Sequence, residues 1–238
     1  MELNLPEISL EGITLEDRKF NLHPQYPITR ERMKKTMQQL RVKDGQKILL
    51  LIDCRGSMSP YESFINVFRK VVERKGKGNV KTFYFNNQPT VYEDISLLNE
   101  VEDVLFPTLD PIFKKIEPSE EGFLYEDQNG YKMVEIQEVL HDYATDALVI
   151  VVSDFGGTMD RYNLYRLYST AVFLKTVSGY TPKCVCLNPL QRTWWERTHE
   201  VFKNNTATQI ARHNPMYSLS SVKDLKAAVD VLNRGGKK

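Results

Sequence analysis

Two continuous apolar runs in this chain each end in an aspartate: "KILLLID" over 47–53 and "ALVIVVSD" over 147–154. An uninterrupted run of leucine, isoleucine and valine of strand length, bounded by turn residues, is the pattern of a strand buried on both faces. Such strands belong to parallel sheets covered by helices, which limits the chain to an α/β architecture. The surrounding sequence agrees. "SPYESFINVFRKVVERKG" is amphipathic, with Phe64, Val67, Phe68, Val71 and Val72 on one stripe, Ser57 or Ser59 placed to cap it and Pro60 suited to its first turn. "NVKTFYFNNQPTVYED" reads as two strands joined at "NNQP", the second an antiparallel edge. "KMVEIQEVLHDY", "RYNLYRLYSTAVFLKTV", "RTWWERTHEVFK" and "VKDLKAAVDVLN" read as helices, and "PKCVCLN" as a further strand. The expected fold is therefore a doubly wound sheet, mainly parallel with one antiparallel edge strand and helices on both faces.

Residues 1–45 have a different texture. Prolines punctuate them, and they read as an irregular arm carrying one short helix, with Thr29 as its N-cap and Met33, Met37 and Leu40 at helical spacing. The domain proper spans 46–238, with an irregular, polar insertion at about 106–131 that reads as a surface loop or short hairpin.

Charge excludes several functions. With 32 basic against 31 acidic residues the net charge is +1, which favours neither nucleic acid nor an anionic membrane as partner. The basic "ERKGKGNVK" reads as a solvated turn, and helical spacing in "RYNLYRLY" puts Leu164, Leu167 and Tyr168 on a buried face rather than making a nucleic-acid surface. No run approaches the length of a membrane span, and the amino-terminal stretch lacks a secretory pattern. Cys54, Cys184 and Cys186 fall in or beside predicted core strands and read as reduced thiols of a cytoplasmic protein. The four histidines are scattered, which leaves no thiolate–imidazole metal pattern and no evident base for Ser57 as a nucleophile. Neither GxxxxGK[ST] nor GxGxxG occurs.

The chemistry concentrates where the two apolar strands end. In a doubly wound sheet, adjacent carboxyl ends flank the crevice that takes ligands. Asp53 and Asp154 are expected to lie close together there, with the Ser57 and Ser153 hydroxyls nearby. Carboxylates and hydroxyls are the hard ligands magnesium prefers, and each aspartate alone is equally explained as a turn or helix cap.

"LLLIDCRGSM" resembles the first element of a von Willebrand factor type A domain, whose metal-ion-dependent adhesion site reads DxSxS, and "VIVVSDFGG" is similar to its later aspartate loop. "VCLNPLQRTWWERT", "RYNLYRLYSTAVFL", "LKAAVDVLNRG" and "YPITRERMKKTMQQLR" resemble segments of the CoxE-like bacterial branch, so that the likeness covers roughly 24–236. The resemblance implies a Rossmann-like fold and a non-enzymatic adaptor beside a MoxR-type AAA+ ATPase and a client protein. It also implies a binding rim at Asp53, Arg55, Ser57, Ser153, Asp154, Gly156 and Gly157. Asp53, Ser57 and Asp154 match metal-ligand positions, but Arg55 replaces the middle serine, and Met133 and Val134 stand where the family's threonine is expected. A guanidinium forks onto carboxylates, so Arg55 is expected to pair with Asp53 or Asp154 in a metal-free site. Retained Mg2+ binding by Asp53, Ser57 and Asp154 is the alternative, and a metal-assisted phosphohydrolase using both aspartates is a third reading. Of Trp194 and Trp195, one is expected in the core and the other as an interface anchor. The glycines of "DFGGT" read as a tight turn or as a close backbone approach to a ligand.

Overall fold

The computed structural model describes residues 28–92, 94–101, 109–157, 164–195 and 206–234. Its elements run α1 (Arg30–Met37), β1 (Ile48–Asp53), α2 (Glu62–Gly76), β2 (Val80–Phe85), β3 (Thr90–Val91), β4 (Gly122–Tyr125), β5 (Met133–Glu135) and α3 (Ile136–Tyr143). They continue with β6 (Leu148–Val152), α4 (Leu164–Tyr180), β7 (Cys184–Asn188), α5 (Thr206–His213), β8 (Met216–Ser218) and α6 (Val222–Arg234). The strands form one sheet in the order β3-β4-β2-β1-β6-β7-β8, with β5 paired to β4. This is the expected Rossmann-like α/β architecture.

β1 and β6 are buried at every position, because each is flanked by parallel neighbours and covered by helices. Their register pairs Ile48 with Leu148 and Ile52 with Val152, so the residues that follow, Asp53 and Ser153, emerge side by side. The strand order reverses between β1 and β6, which makes this the switch point of the sheet. α1 packs on α2 and α6, whereas α4 packs on α3 and α5, giving two helical layers.

Several local expectations are met. Thr29 caps α1, its hydroxyl accepting the Arg32 N–H at 3.3 Å. Met33, Met37 and Leu40 are buried, so the first helix is part of the core. Asn233 fastens it from the other end of the chain, accepting the Arg41 N–H at 2.8 Å and donating to the Gln39 carbonyl at 3.2 Å.

Other expectations are corrected. Gly56–Tyr61, containing Pro60, forms a 3-10 turn, so α2 begins at Glu62 with Tyr61 at its N-cap and no serine capping it. The antiparallel edge comprises three short strands rather than one: β4 runs against β2, β3 and β5, and its turn into β5 is the short hairpin, one of the two readings of this segment from the sequence. Met133–Glu135, read as the start of a helix, is strand β5. β8, paired in parallel with β7, extends the sheet beyond the strands read from the sequence, and α5 is a further helix leading into it. Of the tryptophan pair, Trp195 is the core member, at 2 % exposure, and the side chain of Trp194 lies outside the described residues. Arg192–Trp194, the start of the helix expected over 192–203, form a 3-10 turn, and 196–203 lie outside the described residues.

Candidate functional site

At the carboxyl ends of β1 and β6, Asp53, Ser153 and Asp154 are brought together as the strand pairing requires, and all three are withdrawn from solvent. Asp53 and Asp154 are 0 % exposed. The Ser153 hydroxyl donates to Asp53 Oδ2 at 2.8 Å, and the Asn87 backbone N–H donates to Oδ1 at 2.9 Å. Asn87 reaches that position through a left-handed backbone conformation (φ 62°) just after β2. Burial pushes the Asp53 carboxyl up to about 7. The Ser153 and Asn87 donors oppose this, Asp154 reinforces it and Arg166 opposes it.

Asp154 sits in a tight turn. Its Oδ1 accepts the Gly156 N–H at 3.0 Å, its carbonyl accepts the Gly157 N–H at 2.8 Å, and its own N–H points at Met58 Sδ, 3.1 Å away. Asn188, at the end of β7, donates its side-chain amide to the same carbonyl at 2.9 Å and accepts the Leu190 N–H at 2.9 Å. Gly156 has φ 75°, and a Cβ there would stand 3.0 Å from Thr206 Cβ at the start of α5. Gly156 and Gly157 are buried beneath α5 and Leu190, so they form a packed turn rather than an exposed rim.

The cation facing these carboxylates is Arg166, in the first turn of α4. Its guanidinium reaches Asp154 Oδ1 at 3.4 Å and donates to the Asn87 carbonyl at 3.1 Å, bridging the loops after β6 and β2. Arg55, expected in this role, is exposed instead. β1 ends at Asp53, the chain turns at Gly56 (φ 56°), and the Arg55 guanidinium lies over the β4–β5 hairpin, 3.1 Å from where a Cβ on Gly130 would stand. The turn that carries Arg55 away nests on Asn87, whose side-chain oxygen is 3.0 Å from the Cβ position of Gly56. Neighbouring Cys54 is held by the same hairpin. Its thiol, 3.3 Å from the Phe85 carbonyl and 3.4 Å from that of Gln128, is pushed up to about 11, mainly by burial.

Ser57 joins this group only in part. Its hydroxyl is buried, with no hydrogen-bond partner among the described residues, and it makes no bond to Asp53. For a divalent ion the donor set is poor. Both oxygens of Asp53 accept hydrogen bonds, Asp154 faces a guanidinium, and no group of three histidine, cysteine, aspartate or glutamate side chains is placed to hold a metal among the described residues.

Arg166 and Asn188 were not read from the sequence as site residues. Arg166 carried a signal: it interrupts a helix that is buried on nearly all sides, and an arginine inside such a helix needs a buried anion. A scan against protein-family models, a search of curated proteins and a search of solved structures each returned no match.

Proposed function

We propose that this chain is a non-enzymatic protein–protein interaction module of the von Willebrand factor A type, CoxE-like branch. In this reading its adhesion site is degenerate and metal-free, and it works in the cytoplasm as an adaptor between a MoxR-type AAA+ ATPase and a client. The observation that carries the proposal is the sealed carboxylate pair. Asp53 and Asp154 have no open face toward a substrate, and their charge is met internally by Ser153, Asn87, Gly156 and Arg166. A positive charge fixed in the protein takes the place of a bound ion without stripping magnesium of its hydration shell. The surface left above this cluster presents Arg55 to a partner. Three free cysteines, two of them on a sheet strand, accord with a reducing compartment. Among the described residues no helix is long and apolar enough to cross a membrane.

The cation-dependent reading draws on one observation, the unpartnered Ser57 hydroxyl. Magnesium separates the two. Ten millimolar Mg2+ is expected to leave the melting temperature within about 1 °C, whereas a site that binds the ion raises it by several degrees. Partner capture is the second arm. Arg55→Ala is expected to weaken co-purification with the co-produced ATPase, chelator is expected to leave it unchanged, and full capture by the Arg55→Ala protein would falsify the role given to the rim.

A further inference from the structure

A second group of carboxylates lies away from the strand-end pair, in a cleft of about 1080 Å³ between β3, the start of β4 and the segment leading into it. Asp94, Glu117, Glu120, Glu121 and Glu135 line it, all five exposed. Among the described residues no lysine, arginine or histidine lines the cleft, and none of the five carboxylates forms an ion pair. In a chain of net charge +1 this is a local excess of one sign, and a concave wall of like charge focuses its field into the groove. The cleft also carries an aromatic wall. Tyr92, 56 % exposed, meets Phe123 edge to face, with centroids 5.9 Å apart and an interplanar angle of 85°. Such a ring face attracts an ammonium or guanidinium.

The walls are pinned before any ligand arrives. The Ser119 hydroxyl donates to the Tyr92 carbonyl at 2.6 Å, and the Ser119 N–H donates to the Thr176 hydroxyl on α4 at 2.9 Å. Tyr180 donates to Glu120 Oε1 at 2.6 Å, and Tyr168 to the Asp94 carbonyl at 2.8 Å. A groove with fixed walls loses little freedom on binding. The acidic groups are spread along it rather than gathered into a cage, which speaks against a single divalent ion.

We infer that this cleft is a docking groove for a basic segment of a partner protein, with lysine or arginine side chains meeting the carboxylates and one stacked on Tyr92. The inference is independent of the function proposed for the strand-end rim. The test titrates a fluorescent dodecapeptide of alternating Lys/Arg and Gly/Ser residues into the full chain at 50 mM NaCl, with an Asp/Glu peptide of matched length as control. Saturable binding of the basic peptide alone is expected, falling about tenfold in the Glu117→Gln/Glu121→Gln/Glu135→Gln protein and about threefold in Tyr92→Ala. All substituted positions are exposed, so melting temperatures near that of the parent confirm that the fold is intact. Absence of binding, or equal affinity in the triple variant, overturns the inference. Spermine binding as tightly as the peptide overturns it in favour of a small polycation, and displacement of the peptide by 5 mM Mg2+ overturns it in favour of an ion site.

Discussion

At the strand ends, Asp53 and Asp154 are shut away from water and met by donors from the loops after β2 and β6, the end of β7 and one arginine; in the cleft, Asp94, Glu117, Glu120, Glu121 and Glu135 stand in solvent with no ion pair among the described residues. The same functional group is being used in opposite ways. A buried carboxylate costs several kcal/mol unless it is met from inside, so the fold supplies Arg166 and directed N–H groups, and the pair becomes part of the architecture. An exposed carboxylate is solvated at little cost and keeps its field for whatever approaches. Their acid strengths follow: burial pushes Asp53 up to about 7, whereas the Ser96 backbone N–H holds Asp94 below the usual carboxylate range.

Removing the internal cation tests this contrast most severely. Arg166→Ala strips Asp154 of its buried counter-charge and is expected to cost about 3–5 kcal/mol in urea unfolding. A loss under about 1 kcal/mol means that the pair is not the structural element described.

Proton uptake gives the next largest effect. Because the Asp53 carboxyl binds its proton more tightly in the folded than in the unfolded chain, its contribution is fully present below pH 3.8 and is lost as the pH rises through about 7. The wild type should therefore lose about 2 kcal/mol between pH 5 and pH 7 from this group, and Asp53→Asn should remove that slope. Equal slopes in the two proteins would break the comparison on the buried side.

The smallest effect is expected in the cleft, where Glu117→Gln/Glu121→Gln/Glu135→Gln should move the melting temperature by no more than about 2 °C, upward if at all, and less at high salt. A drop of ten degrees would mean that these carboxylates hold the fold together after all.

Much of the fold was legible in the sequence, because β1 and β6 are buried on both faces and their apolar runs stand out. Their parallel pairing also made the meeting of Asp53 and Asp154 foreseeable. The partner of the pair was not. Arg55 is two residues from Asp53 in the chain, but the strand stops and Gly56 turns, so nearness in sequence carried no nearness of charge. Arg166 is 12 residues from Asp154, and only the packing of α4 brings it back. The edge strands β3 and β5 were obscure for another reason. Two or three residues are too few to display a period, and only their pairing with β4 defines them.

The clasp between Asn233 and the backbone at Gln39 and Arg41 bears on how the molecule is made. The contact spans 192 residues for one bond and 194 for the other. On a ribosome, α1 emerges before the other described elements, and the helix that fastens it is the last of them to appear. Until then the methionine face of α1 lacks α6, one of the two helices against which it packs, and remains open to chaperones or to the wrong neighbour. The contact of α1 with α6 therefore forms only after every described element between them has emerged.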